Sequence, residues 1–193
     1  VMPRLETRDI VAVSLAASTW AILNVTITPI FWQATRLPIL CDMVGASLLI
    51  LTIWWTRRPL CASAMGLIAT ILNFMLRPTA LHFLGFTAAS FVFDISSRAI
   101  GYRTLLDRRL IGSALLVLIS VISTLIAGLI IGSFFMAPTQ VFSAYGGITF
   151  FAALHGAGGL IGGIIGVIIL NGLKARGVKI QKIELQDKSS ITI

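Results

Sequence analysis

Residues 148–173 read ITFFAALHGAGGLIGGIIGVIILNGL, a run with no formal charge and one histidine, His155. A helix needs about 20 mainly apolar residues to cross a bilayer, so this run is long enough, with Gly146-Gly147 loosening its start. Gly158, Gly159, Gly162, Gly163 and Gly166 form overlapping G-x-x-x-G pairs. Small residues let backbones approach closely, and helices in lipid associate through such packing. Packing inside its own bundle is the simplest use of the glycines. Five further apolar runs precede it: Ile10 to Ile30 with the helix ending near Asn24 or Val25, Pro38 to Trp54-Trp55, Pro59 to Leu76-Arg77, Thr79 to Ile95, and Leu110 to Met136. Thr7 is placed to cap the first helix, with Asp9 in its acidic first turn.

The whole chain agrees with this reading. Of 193 residues, 57% are hydrophobic and 11% charged, against roughly a quarter charged in a soluble domain, and mean hydropathy is +0.98. Too few polar side chains are present to cover a soluble surface, and the same values exclude a disordered chain. Cys41 and Cys61 fall at opposite ends of one hairpin, which excludes a disulfide between them and fits two inert thiols. The expected architecture is an all-α integral membrane protein: a bundle of six transmembrane helices in one domain, 1–177, followed by a basic cytoplasmic tail, 178–193. Val1 in place of Met leaves the start open to processing, trimming or an unusual initiation codon. The first apolar run continues past any A-x-A site, so a cleavable signal peptide is not expected.

The net charge of +8 would suggest nucleic acid in a soluble protein, but no patch interleaves Lys and Arg with exposed aromatics. The basic residues instead punctuate the apolar runs. With the N-terminus inside, Arg4, Arg8, Arg57, Arg58, Arg98, Arg103, Arg108, Arg109, Lys174, Arg176, Lys179, Lys182 and Lys188 all fall in inner segments. Only Arg36 and Arg77 fall outside. This alternation matches six spans with both termini cytoplasmic, in a multi-pass protein of the plasma membrane.

Polar groups at membrane depth are costly and need a reason. In this topology Asn24, Gln33, Arg36, Asp42, Asn73, Arg77, His82 and His155 all fall in the outer half, beside Phe31 and Trp32. The inner half is expected to be nearly bare apart from Asp94, placed to pair with Arg98 four residues on. Trp54 and Trp55 fit an interfacial belt. Polar residues at helix ends can simply reach for the interface. Their gathering in one leaflet points instead to a ligand cavity open to the outside. Arg36 and Arg77 suit a carboxylate or phosphate, Asp42 a cationic ring or amine, and Trp32 and Phe31 a stacked heterocycle. Alternatively, Arg36 and Asp42 pair with each other. In the first span Ala12 and Ala16 form an A-x-x-x-A pair that suits either an intramolecular or a partner contact.

The chain has no G-x-x-x-x-G-K-[ST] loop for ATP, no H-E-x-x-H zinc pair and no G-x-S-x-G nucleophile. No matching inverted halves mark a self-sufficient transporter. His82 and His155 lie in one leaflet on different helices, so a haem-b-carrying anchor of a redox complex is one alternative. A ligand-free structural subunit is another.

Three stretches resemble the substrate-binding S components of energy-coupling factor (ECF) transporters. They are TRDIVAVSLAASTWAILN at 7–24, Arg36-Leu37-Pro38 after an outer loop, and HGAGGLIGGIIGVIILNGLKARG at 155–177. The resemblance implies a non-enzymatic subunit of six helices that captures a small water-soluble vitamin or cofactor precursor at its outer half. A transmembrane coupling subunit and two ATPase subunits would supply energy. It implies that the A-x-x-x-A face, here Ala12 and Ala16, docks on the coupling subunit, and that the segment around Phe31, Trp32 and Gln33 gates the ligand. Val1-Met2-Pro3 lacks the histidine of the metal-binding branch, which points away from cobalt or nickel. Arg36, Arg77, Asp42, Trp32 and Phe31 together point to an amphoteric aromatic precursor of the pyrimidine or thiamine kind.

Overall fold

The computed structural model describes residues 6–178. Arg4, Lys179, Lys182, Lys188 and, Val178 apart, the expected tail lie outside the described residues. Among the described residues all regular structure is helical: α1 (Thr7–Thr35), α2 (Ile39–Thr56), α3 (Cys61–Leu76), α4 (Leu84–Ile100), α5 (Tyr102–Asp107), α6 (Arg109–Ile130), α7 (Pro138–Tyr145) and α8 (Ile148–Ala175). A 3-10 turn, Leu81–Phe83, leads into α4, and a π-helical stretch, Ile131–Phe135, extends α6. Five helical segments are long and apolar enough to cross a membrane: Thr7–Thr35, Ile39–Thr56, Leu81–Ile100, Arg109–Phe135 and Ile148–Ala175. The sixth apolar helix, Cys61–Leu76, is shorter. The architecture is that of an all-α, multi-pass membrane protein.

The glycine-rich helix α8 is wedged between α2 and α6. One line of glycines meets α2: a Cβ on Gly158 would stand 2.7 Å from the Ile39 carbonyl oxygen, and one on Gly166 3.1 Å from Ser47 Cα. On Gly162 it would collide with the Met43 carbonyl. A second line meets α6, where a Cβ on Gly159 would lie 2.7 Å from the Ser120 carbonyl oxygen and one on Gly163 3.1 Å from Val117 Cα. The backbones touch where side chains would otherwise hold them apart. Ser47 Oγ stands 2.8 Å from the Gly162 carbonyl oxygen, a hydrogen bond across the α2–α8 seam. The glycines therefore serve packing within the bundle. Ala16 does the same on α1: it is 9% exposed and part of the core with Met65 and Ala69 of α3, while Ala12 is half-buried. Of the two contacts open to the A-x-x-x-A pair, Ala16 makes the intramolecular one.

The two ends of the bundle differ. At the end carrying Arg57, Arg58 Nε lies 2.9 Å from Asp9 Oδ2 and its Nη2 2.9 Å from Glu6 Oε1. Asp9 is fully buried and Arg58 nearly so. Asp94 does not reach for Arg98; its carboxylate accepts the backbone N–H groups of Leu60 and Ser63 at 3.2 and 2.9 Å, satisfying donors that the start of α3 leaves free. Burial beside Asp94 pushes the Tyr102 hydroxyl above its ordinary range. Arg57 binds Asp107 of α5 through both oxygens, and Lys174 holds the Leu106 carbonyl. The expectation of a bare inner half is therefore corrected: a buried ion pair and a helix cap fix this end. Trp54, 3% exposed, is core rather than belt, edge-on to the more exposed Trp55.

Two helix ends also differ from the sequence reading. Glu6, not Thr7, is the N-cap of α1, with the Asp9 carboxylate accepting its N–H at 3.2 Å. At the other end α1 does not stop near Asn24 or Val25 but continues through Pro29 to Thr35, where Arg36 terminates it in a left-handed conformation. Proline removes one backbone hydrogen bond, while ending the helix there would strand several more at membrane depth. Phe31, Trp32 and Gln33 are consequently helical, not a loop.

The glycine seam gives a paired expectation. Gly162→Ala should lower the thermal midpoint of the detergent-purified protein, by overpacking worth about 1–3 kcal/mol. Gly172→Ala, with open space at its Cβ, should leave it unchanged or raise it, since alanine is the better helix former.

Candidate functional site

At the Arg36 end, helices α1, α2, α4, α7 and α8, the π-helical stretch after α6 and the connection before α4 enclose a cavity of about 390 Å³. Six of the polar or aromatic residues singled out from the sequence line it: Asn24, Trp32, Asp42, Arg77, His82 and His155. Four do not. Phe31, half-buried on α1, stands outside the lining. Gln33 and Arg36 are exposed on the last turn and cap of α1, with the Arg36 guanidinium 4.6 Å from the Trp32 ring centre. Asn73 is fully buried within the bundle, its amide donating to the Ala69 carbonyl at 2.9 Å. Arg36 and Asp42 do not pair with each other; each has a different partner.

Asp42 sits in the first turn of α2, where the helix dipole favours a carboxylate. Its Oδ2 lies 2.7 Å from His155 Nδ1. Both residues are buried, at 5% and 2% exposure. The glycine seam produces this pair: a Cβ on Gly158 would come within 2.8 Å of Asp42 Cβ, so only a glycine lets α8 bring His155 so near. On its other side His155 packs edge-on to Phe151, four residues earlier, with ring centres 4.7 Å apart. Its second ring nitrogen, Nε2, has no hydrogen-bond partner, nor has Asn24 Oδ1. Other buried polar atoms among the described residues also lack partners, Ser63 Oγ and Asn73 Oδ1 among them, but these two belong to side chains of one cavity wall.

The rest of the wall is aromatic. Trp20 stacks on Phe86 at 4.0 Å with nearly parallel rings and meets Phe83 edge-on at 5.5 Å. Tyr145 of α7 closes the far side: its hydroxyl accepts Trp32 Nε1–H at 3.3 Å and donates to the Arg36 carbonyl at 3.2 Å. The cavity thus has a buried wall of Trp20, Asn24, Asp42, Phe151 and His155 and an exposed rim of Trp32, Arg77, His82 and Gln140. Trp20, Phe83, Phe86, Gln140, Tyr145 and Phe151 were not singled out from the sequence. Trp20 and Phe151 carried a usable signal, since each precedes a polar wall residue by four positions and so shares its helix face. Among the described residues no group of three or more His, Cys, Asp and Glu is placed to hold a metal.

Comparison of the chain with protein-family models, with curated proteins and with solved structures finds no match.

The buried pair sets an expectation for a double-mutant cycle. Asp42→Leu or His155→Leu alone should lower stability by about 3–5 kcal/mol, because each strands its partner. The double variant should recover much of the loss in thermal unfolding. Additive losses would mean that the two side chains do not interact.

Proposed function

We propose that the chain is the substrate-capture subunit of an ATP-driven importer of the ECF type, binding a small water-soluble vitamin or cofactor precursor. In this reading all six apolar helices cross a prokaryotic plasma membrane, both termini are cytoplasmic, and the Arg36 end faces outward. The cavity carries the proposal: an aromatic chamber inside a membrane bundle, with a buried Asp42–His155 pair and unpartnered Asn24 and His155 atoms in its wall. Aromatic walls with a few oriented polar groups suit a small polar heterocycle. The positive-inside pattern supports the orientation. The chain itself acts as a binding protein, not an enzyme; a transmembrane coupling subunit and two ATPases supply the energy. Trp32 and Arg77, at the rim, meet the ligand first. Gln33 and Arg36 stand beside the mouth and Asn73 behind the wall, and these three drop out of the contact set.

Two measurements test the reading. With Arg36→Cys, a membrane-impermeant maleimide should label intact cells; with Arg103→Cys it should label only after lysis. The reverse pattern overturns the orientation. The purified chain alone should show a thermal shift with one member of a vitamin and precursor panel. No shift across the panel, or a Soret absorbance lost in His82→Ala, would favour a structural or haem-carrying subunit instead.

A further inference from the structure

The hydrogen-bond inventory of the cavity wall describes what its occupant must carry, granted the binding function proposed above. In the buried wall the protein has already used its own donors. Trp20 Nε1–H goes to the Cys41 carbonyl at 3.2 Å and the Asn24 amide to the Trp20 carbonyl at 2.9 Å. The Cys41 thiol goes to the Pro38 carbonyl at 2.9 Å. His155 Nδ1 faces the Asp42 carboxylate at 2.7 Å. Two of the remaining polar groups of the buried wall accept, the Asn24 carbonyl oxygen and the Asp42 carboxylate. Asn24 Oδ1 and His155 Nε2 have no hydrogen-bond partner. The rim has the opposite character. Arg77 only donates, and His82 and Gln140 can; all three are exposed.

We infer that the cavity selects an aromatic heterocycle oriented by polarity, its N–H-bearing edge seated against Asn24, Asp42 and His155 and an anionic or acceptor substituent held at the rim by Arg77. A molecule entering carboxylate first meets the Asn24 carbonyl oxygen and the Asp42 carboxylate at the buried wall and is excluded. The inventory decides this more firmly than net charge does. It predicts rejection of acceptor-only rings that fit the chamber equally well.

Four one-ring probes test it by calorimetry or thermal shift on the full purified chain: benzamidine and 2-aminopyridine, which donate; benzoate, which only accepts; and 4-(aminomethyl)benzoate, which carries both ends. Binding should be strongest for 4-(aminomethyl)benzoate, weaker for the two donors and undetectable for benzoate. Asn24→Leu, if its thermal midpoint is retained, should weaken benzamidine about tenfold, the worth of one lost hydrogen bond. Arg77→Gln, at an exposed site that does not threaten folding, should abolish the advantage of 4-(aminomethyl)benzoate over benzamidine. Benzoate binding as well as benzamidine, or an undiminished advantage of 4-(aminomethyl)benzoate in the Arg77 variant, overturns the polarity assignment and leaves ligand capture standing. No binding by any probe, together with no shift in the vitamin panel, overturns ligand capture itself.

Discussion

The close approach of α8 to α2 is the constraint on which the rest depends. Gly158, Gly162 and Gly166 lay bare one face of α8, and the α2 backbone from Ile39 to Ser47 occupies it. In lipid there is no hydrophobic gain from pressing two apolar helices together, so contact area and short hydrogen bonds such as Ser47 to Gly162 must hold them. The same approach carries His155 to within 2.7 Å of Asp42. A larger residue at Gly158 would separate the helices and the pair together, so packing and site share one cause.

The two ends of the bundle use polar groups differently. At the Arg57 end every buried charge is matched: Asp9 by Arg58, and Asp94 by the amide groups at the start of α3. Some polar atoms there still lack hydrogen-bond partners, among them Asp9 Oδ1 and the Ser63, Ser97 and Tyr102 hydroxyls. At the Arg36 end the atoms without partners, Asn24 Oδ1 and His155 Nε2, belong to the wall of a cavity. Leaving buried acceptors unmade is costly. A bound donor would remove that cost, which is how a ligand gains affinity without further contacts.

The helix layout was legible because apolar runs bounded by arginine and proline are a strong signal at this length. Its details were less so. The first helix was expected to end near Asn24 or Val25, but a helix inside a bilayer has more to lose by stopping than by skipping the one bond that Pro29 removes, and Trp32 moved from a loop to a helix in consequence. The short helices α5 and α7 have too few residues for a periodic signature. For the site, Asp42, His82 and His155 were visible as polar residues in an apolar background, because that cost exists whatever the fold. Asn73 carried the same signal but turned inward to Ala69, since helix rotation is set by packing that the sequence does not display. The aromatic wall was the least legible part. Trp20 and Phe86 resemble any core residue until their stacking is seen, and Tyr145 reaches Arg36 across 109 positions. Asp9 and Arg58 were likewise hidden, each resembling a flanking charge until the fold joined them.

The central claim is that the chamber beside Asp42 and His155 holds a small polar molecule in the membrane-embedded protein. Mass spectrometry of what the gently purified chain releases on denaturation tests it most directly. The account requires one nitrogen-bearing aromatic compound, near stoichiometric with protein and absent when Gly158 is replaced by leucine. Release of lipid and detergent alone, from cells supplied with a rich medium, would contradict it.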